Sequence, residues 1–578
     1  MTGSPSRFHT WFMLILGRRM RMTSRKMPAK DETRLAADER RLTLIGNKWL
    51  IRVHQRSSAA KERSRSLGAL AALALCILSA PLVSAPPPAL TAEEQAVLSG
   101  ISPDSLRANL SFLASDDLKG RYTPSPELDI AASFIAARFR GAGLEPLGDQ
   151  DYFQVAHMVR RRPATASGIA VHAGGEQIDI PAAAVSIGRA GAAFHAAEAP
   201  VVWAPSQDPA LLDKVDIREK VVVTVAPEFR WKSGPEIEEL SRKSRAFAQA
   251  LETSRARAEI IITGRSPRFG RTLLFEEEAK ATLPPTLFLS AEAGERWLKL
   301  LKAGAAQTVS FSLSAPQDEP VTVRNVVGIL RGSDPKLKGT AVMLSAHYDH
   351  LGTTETAGPL ARRAAGGHTI YNGANDDGSG TVSVIEIASA LARLPHHPKR
   401  SIIFVTFFGE ELGLLGSRYF AEHPPLPLAS FAGDVNLEQV GRTDSSKGPE
   451  ISNASLTGYD YTTVTKFLEE AGRQTGVKVY KDSEASDPFF ARSDNSALAE
   501  HGVPAITLCV AFEYPDYHGL GDEWQKIDYA NMARVDRMVA IGLLHMANSA
   551  EPAHWVESNA RVKRYVEAQR EAAKTAVQ

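Results

Sequence analysis

The stretch SIIFVTFFGEELGLLGS, Ser401–Ser417, decides the fold. Ile402–Phe408 is a short apolar run rich in β-branched and aromatic residues, which reads as a buried strand. Gly409 ends it, Glu410 and Glu411 follow at once, and Leu412–Ser417 turns toward a helix. Two acids at the end of a buried strand are costly to desolvate unless something pairs with them. Taken alone, the pair reads equally well as solvated acids at a helix start, where the helix dipole favours them.

Similar runs occur elsewhere in the second half. From Val321 onward strands alternate with helical spacing, which predicts an α/β sheet. The strands are Ala341–Ser345, Ile402–Phe408, Gly433–Asn436 and Ala505–Val510, and the clearest helix is Thr381–Leu394. Each strand leads to a candidate ligand: His347 with Asp349, Glu410 with Glu411, Glu438, and Tyr517 with His518. The loop NGANDDGSG, Asn372–Gly380, sets Asp376 just ahead of the helix. In open α/β sheets, sites form outside the carboxyl ends of strands, so the fold gathers what the sequence scatters.

The inventory suits two zinc ions, because zinc accepts imidazole and carboxylate and two metals can share one carboxylate. His347 and Glu438 can hold one ion, Glu411 and His518 the other, and Asp376 can bridge. Glu410 is then left over as a general base, and Asp349 can orient the His347 imidazole. Singly, these residues are ordinary: a lone His is more often structural, and Asp376 is a natural turn or N-cap residue. Asp377 reads as a plain turn residue. His350, His368, His396 and His397 are set aside as structural or solvated. Five motifs sharing one position relative to their strands set the group apart.

The rest of the chain bounds the answer. Of 578 residues, 44% are hydrophobic and 23% charged, with a net charge of +1. Residues 1–66 carry 16 Lys/Arg against 5 Asp/Glu, which leaves the remaining chain at 51 against 61. A mildly acidic body offers no footprint for nucleic acid. With only Cys76 and Cys509, thiolate zinc sites and a disulfide framework are excluded. KERSRS before the Ala/Leu-rich run Leu67–Val83, with Val83-Ser84-Ala85 after it, is a secretory signal pattern. Export to the periplasm or outside the cell is expected, with a membrane anchor only if the segment stays uncleaved. Leu98–Leu118 and Asp129–Leu144 have helical spacing: Leu106, Leu110 and Leu113 in the first, and Ile130, Phe134, Ile135 and Phe139 in the second. From about Arg160 short strands follow (Val201–Trp203, Val221–Val225, Ile260–Thr263), interrupted by one exposed helix, Glu236–Ala258.

The motifs AHYDHLG (Ala346–Gly352), YNGANDDGSG (Tyr371–Gly380), FFGEELGLLGS (Phe407–Ser417), NLEQVGR (Asn436–Arg442) and YHGLGDEWQKIDY (Tyr517–Tyr529) resemble the dinuclear zinc aminopeptidases of metallopeptidase family 28. That family also includes glutamate carboxypeptidases and glutaminyl cyclases. The resemblance spans Glu94–Tyr152 and Val321–Met546. It implies a three-layer α/β/α peptidase domain with a mixed sheet, interrupted by a β-rich protease-associated domain. The expected division is a leader over 1–89, the N-terminal part of the peptidase domain over 90–160, the insert over 161–320, the catalytic core over 321–550 and a peripheral tail over 551–578.

The resemblance further implies that His347, Asp376, Glu411, Glu438 and His518 are the ligands of two zinc ions, with Asp376 as bridge and Glu410 as base. Tyr517 matches a tyrosine that hydrogen-bonds the tetrahedral intermediate. The implied activity is removal of N-terminal residues from peptides. Alternatives are a carboxypeptidase or cyclase on the same scaffold, or a non-catalytic receptor-like protein. Two departures stand out: Glu438 replaces the Asp of many members, and Thr353–His368, with Arg362 and Arg363, is long.

Overall fold

The computed structural model describes residues 89–575 apart from 228–233, 265–271, 282, 305, 359–360 and 363–367. The leader, its signal pattern, Cys76 and Arg363 lie outside the described residues. No helix among the described residues is long and apolar enough to cross a membrane.

Four strands form the centre of the main sheet, in the order Ala505–Cys509, Phe431–Leu437, Ala341–His347, Ser401–Phe407. All three pairings among them are parallel. They are buried along their full length, as parallel strands covered on both faces must be. The long strand Gln317–Leu330 pairs antiparallel with Ser401–Phe407, and Phe153–Arg162 pairs antiparallel with it in turn. On the other flank, Asn453–Leu456 runs antiparallel to Ala505–Cys509 and parallel to Lys478–Tyr480.

Side chains alternate between the two faces of this sheet. Val342, Leu344, Ile402 and Phe404 face one core, shared with helices Gly380–Ala392, Tyr529–Asn548, Pro103–Leu113 and Pro126–Ala142. Met343, Ile403, Val405 and Phe407 face another, closed by Phe420 and Leu498 from the short helices Leu415–Glu422 and Asn495–Glu500. The result is a three-layer α/β/α arrangement around a mixed sheet. After Ala341–His347 the chain adds Ser401–Phe407 on one side and then Phe431–Leu437 on the other. Such a reversal opens a crevice at the carboxyl ends of the strands.

Several expectations change in detail. On Pro126–Ala142 the core face is Leu128, Ala132, Ile135 and Phe139, while Ile130 is 50% exposed. The stripe through Leu128 and Ile135 wins because both lie one helical face away from Ile130. The helix placed at 236–258 is Gly234–Thr253, and it is not merely exposed: Phe247 and Leu251 are buried against Val202 and Val222. A second helix, Ala291–Lys302, was not anticipated. Its apolar residues Trp297 and Leu301 sit four apart among lysines and glutamates, yet both are buried.

Residues 164–313 build a separate eight-stranded sheet, in which Phe194–Ala204, Val221–Val225, Ala258–Thr263 and Thr286–Ser290 run parallel. One short strand from the 161–320 span, Leu273–Phe275, leaves it to pair with Met158–Arg160 at the edge of the main sheet. The segment after 550 is packed rather than peripheral: Trp555, Val562 and Tyr565 form a small core with Tyr461 and Phe490.

Candidate metal centre

Three of the central strands deliver their polar residues within a few positions of the carboxyl end, and the fourth through a longer loop. Ala341–His347 ends on His347 itself. After Ser401–Phe407 the backbone turns at Gly409, with φ of 66°, and a single turn, Glu410–Leu412, presents both acids before the helix begins at Leu415. The pair is therefore not the first turn of a solvated helix; its side chains are 13% and 6% exposed. Glu438 follows Phe431–Leu437 directly, and His518 comes from the loop beyond Ala505–Cys509 with its own positive φ of 53°.

Asp376 lies at the centre of the group. Its Oδ1 is 3.3 Å from His347 Nε2, and its Oδ2 is 3.2 Å from His518 Nε2. Glu411 Oε2 is 3.3 Å from the same His518 nitrogen. Donor atoms of His347, Asp376 and Glu438 all lie within 4.8 Å of one another, and so do those of His350, Asp376 and Glu411. Glu410 Oε2 stands 4.0 Å from His347 Nε2. The Tyr517 ring stacks on His518 with centroids 4.0 Å apart. The closest contact to His347 Nδ1 is the Asp349 backbone carbonyl at 3.2 Å, with the carboxylate Oδ1 at 3.5 Å. That Oδ1 also accepts from the Glu410 backbone N–H. Arg362 approaches through its backbone, donating its N–H to the His518 carbonyl at 2.7 Å.

Four residues outside the sequence-level set hold the centre in place. Asp377, far from being a plain turn residue, is fully buried and accepts from the backbone N–H groups of Gly380, Gln439 and His347. Asp522 accepts from Asn375 N, Asp376 N and the Tyr514 hydroxyl. Arg121, 1% exposed, donates to the carbonyls of Tyr348, Leu113, Asn372 and Gly373, clamping the His347 and Asp376 loops together. His350 lies against Glu411, its Nδ1 2.7 Å from Oε1. His350, Asp377 and Asp522 lie inside the motifs themselves, whereas Arg121 lies outside them and reaches three carbonyls more than two hundred residues away.

Crowding of like charges shapes the electrostatics. Burial pushes the Glu410 carboxyl well above its ordinary range; His347 pulls it down, and Glu438, Glu411 and Asp494 add to the rise. Burial and Asp376 raise Glu438 as well. Burial would also raise Glu411, but His518 and His350 bring it down to about 2. Desolvation lowers Arg121 to about 10, against the pull of Asp349, Asp522, Asp377 and Asp376. Burial and the nearby Asp349 and Glu438 carry Asp494 to about 7, against the pull of His347.

These residues fit divalent cations. His347 Nε2, both ring nitrogens of His350 and Glu411 Oε1 are buried with no hydrogen-bond partner, a cost of about 1–3 kcal/mol for each unmade bond. Imidazole nitrogen and carboxylate oxygen without thiolate is a donor set that zinc accepts.

The profile of Peptidase family M28 matches residues 325–541. A probable leucine aminopeptidase 2 of Aspergillus oryzae (strain ATCC 42149 / RIB 40) is 31% identical over 170 residues, 29% of each chain. Aminopeptidase YwaD of Bacillus subtilis (strain 168) is 30% identical over 163 residues, 28% of this chain and 30% of that one. The chain thus spans under a third of the length of these relatives. In fold it is similar to the aminopeptidase from Aneurinibacillus sp. strain AM-1, with a TM-score of 0.52 at 18% identity over 80% of this chain and 97% of that one. The chain carries a peptidase family M28 domain, and the centre described above lies within its residues 325–541.

Proposed function

We propose that this protein is an exported zinc-dependent aminopeptidase that removes N-terminal residues from peptides. The observation that carries the proposal is the convergence of buried, unpartnered imidazole and carboxylate atoms around the shared Asp376. His347 and Glu438 would hold one zinc, Glu411 and His518 a second, and Asp376 would bridge them. Ions bound there supply a nucleophilic water at neutral pH and polarise the scissile carbonyl.

The chain's own residues do the rest. Glu410 faces the cluster without being needed as a ligand. It takes the proton of the attacking water and delivers it to the leaving amine, and its raised proton affinity suits that second task. Tyr517, held by stacking on His518, donates a hydrogen bond to the developing oxyanion. The surplus of carboxylates attracts a free α-amino group and so favours cleavage at the N-terminus. Glu438, one methylene longer than an Asp, would hold the first ion together with His347. The 161–320 span, a protease-associated insert in this reading, governs access and contributes no ligand. The Leu67–Val83 run behind KERSRS supports export.

The test is a panel of free and N-blocked peptides, assayed with and without a chelator. Release of N-terminal residues from free peptides only, abolished by chelation and restored by zinc, is the expected result. Cleavage of blocked peptides from the carboxyl end, or activity indifferent to chelator, would overturn the proposal.

A further inference from the structure

His350 lies three residues beyond His347, in AHYDHLG, and its ring is buried. Its Nδ1 and Glu411 Oε1 form an ion-pair contact at 2.7 Å, and neither atom has any other partner. Its Nε2 also has none. A buried imidazole nitrogen without a partner is costly, and the fold holds this ring in place. Gly373, with φ of +56°, passes directly beneath the ring; a Cβ there would stand 2.4 Å from His350 Cγ and 2.5 Å from the Asp376 carbonyl. Arg121 fixes both walls of the slot: its guanidinium binds the Gly373 carbonyl, and its own carbonyl accepts the His350 N–H. The ring meets His518 edge-on with centroids 5.7 Å apart.

We propose that His350 is a further ligand of the metal held by Glu411 and His518, an inference that rests on the two-metal reading above. That site would then have two imidazoles and two carboxylates, counting Asp376. The other has one imidazole, His347, with Glu438 and Asp376. The two ions are therefore inequivalent, and the Glu411 side is the tighter and richer in nitrogen. Imidazole suits zinc and cobalt alike, so cobalt can report on the site.

The experiment compares the full-length wild type with His350→Ala and His350→Asn. Zinc content is measured after dialysis against graded chelator, and visible absorption is recorded on cobalt-loaded protein. Wild type is expected to release its ions in two separated steps. In His350→Ala the tighter step should weaken tenfold or more, the cobalt spectrum should change, and added imidazole should restore both. His350→Asn keeps a hydrogen-bond donor near Glu411 but is a poor zinc ligand, so it should resemble His350→Ala. If Asn preserves wild-type affinity, or if Ala retains both ions unchanged, His350 is not a ligand. Melting of the metal-free variants within a few degrees of wild type certifies the fold. A wild type that binds one ion or none would instead sink the two-metal reading itself.

Discussion

The protein contains two large sheets that bury polar groups in opposite ways. In the eight-stranded sheet the buried carboxylate Glu259 accepts from Gln207 and lies 3.3 Å from the Thr286 hydroxyl, which donates to it. Among the described residues of that unit, the buried atoms without a partner are the hydroxyls of Thr224 and Ser244. At the carboxyl edge of the main sheet the unpartnered atoms include those of His347, His350, Asp349, Glu411 and Asp494, with side-chain amides of Asn372, Asn375 and Gln439 beside them. A folded chain rarely leaves such groups unmet, and here they gather at the crevice where the strand order reverses. Asp536 makes a third case. It is buried between helices Gly380–Ala392 and Tyr529–Asn548, with no imidazole among the groups that shift it, and burial pushes its carboxyl up to about 8 against the opposing pull of the Ser383 hydroxyl. Burial raises the proton affinity of Glu259 and of Asp536 alike, whereas at the crevice imidazoles stand among the acids.

Substitutions should separate these cases. The largest effect is expected at Glu410. Glu410→Gln should lower turnover by roughly 10²–10⁴ while metal content stays at the wild-type value, and Glu411→Gln should lose metal and activity together. Metal analysis beside kinetics on both variants checks this; the reverse pattern would mean that the neighbours have exchanged roles.

Trp297→Ala, in the core of the second sheet, should cost about 3–5 kcal/mol of stability without changing metal content per folded chain. Trp297 is fully buried, and its indole N–H donates to Gln307 at 2.7 Å. Denaturant titration with metal analysis of the folded fraction tests it, and metal loss from a folded variant would break the contrast between the sheets.

Asp536→Asn should flatten part of the pH profile of stability. The folded carboxyl is raised to about 8 by burial, against an unfolded value near 3.8. Its stabilising contribution is therefore complete below about pH 4, is lost as pH rises toward 8, and is constant beyond. Relative to wild type, the variant should gain on the order of a few kcal/mol between pH 4 and 8. Unfolding measured across that range decides, and a constant offset would mean that Asp536 does not titrate there. The smallest effect belongs to Glu259→Gln, which keeps the contact to Thr286 and should shift stability at neutral pH by about 1 kcal/mol or less; a larger loss in thermal melts would show that the charge itself is needed.

Much of this was legible in the sequence. Two of the central strands, Ser401–Phe407 and Ala505–Cys509, are mainly apolar runs with both faces covered, and in all four the site residues follow at or beyond the carboxyl end. Local spacing could not show what depends on chain segments meeting. Arg121 sits in a turn between two helices and binds carbonyls of loops far along the chain. Asp522 looks like one more loop acid until it is seen under Asn375 and Asp376. His350 was passed over beside His347 because its partner, Glu411, comes from the next strand. Trp297 and Leu301 lie on an amphipathic helix, with Leu298 and Leu300 packed partly beside them, a helical period that is readable in the sequence between two strands.

Metal stoichiometry of the folded chain, purified with zinc available, bears most directly on the account. Two zinc ions per chain are predicted, with loss of one on Glu411→Gln and of none on Glu410→Gln. A folded wild-type chain that binds a single ion, or none, would contradict it.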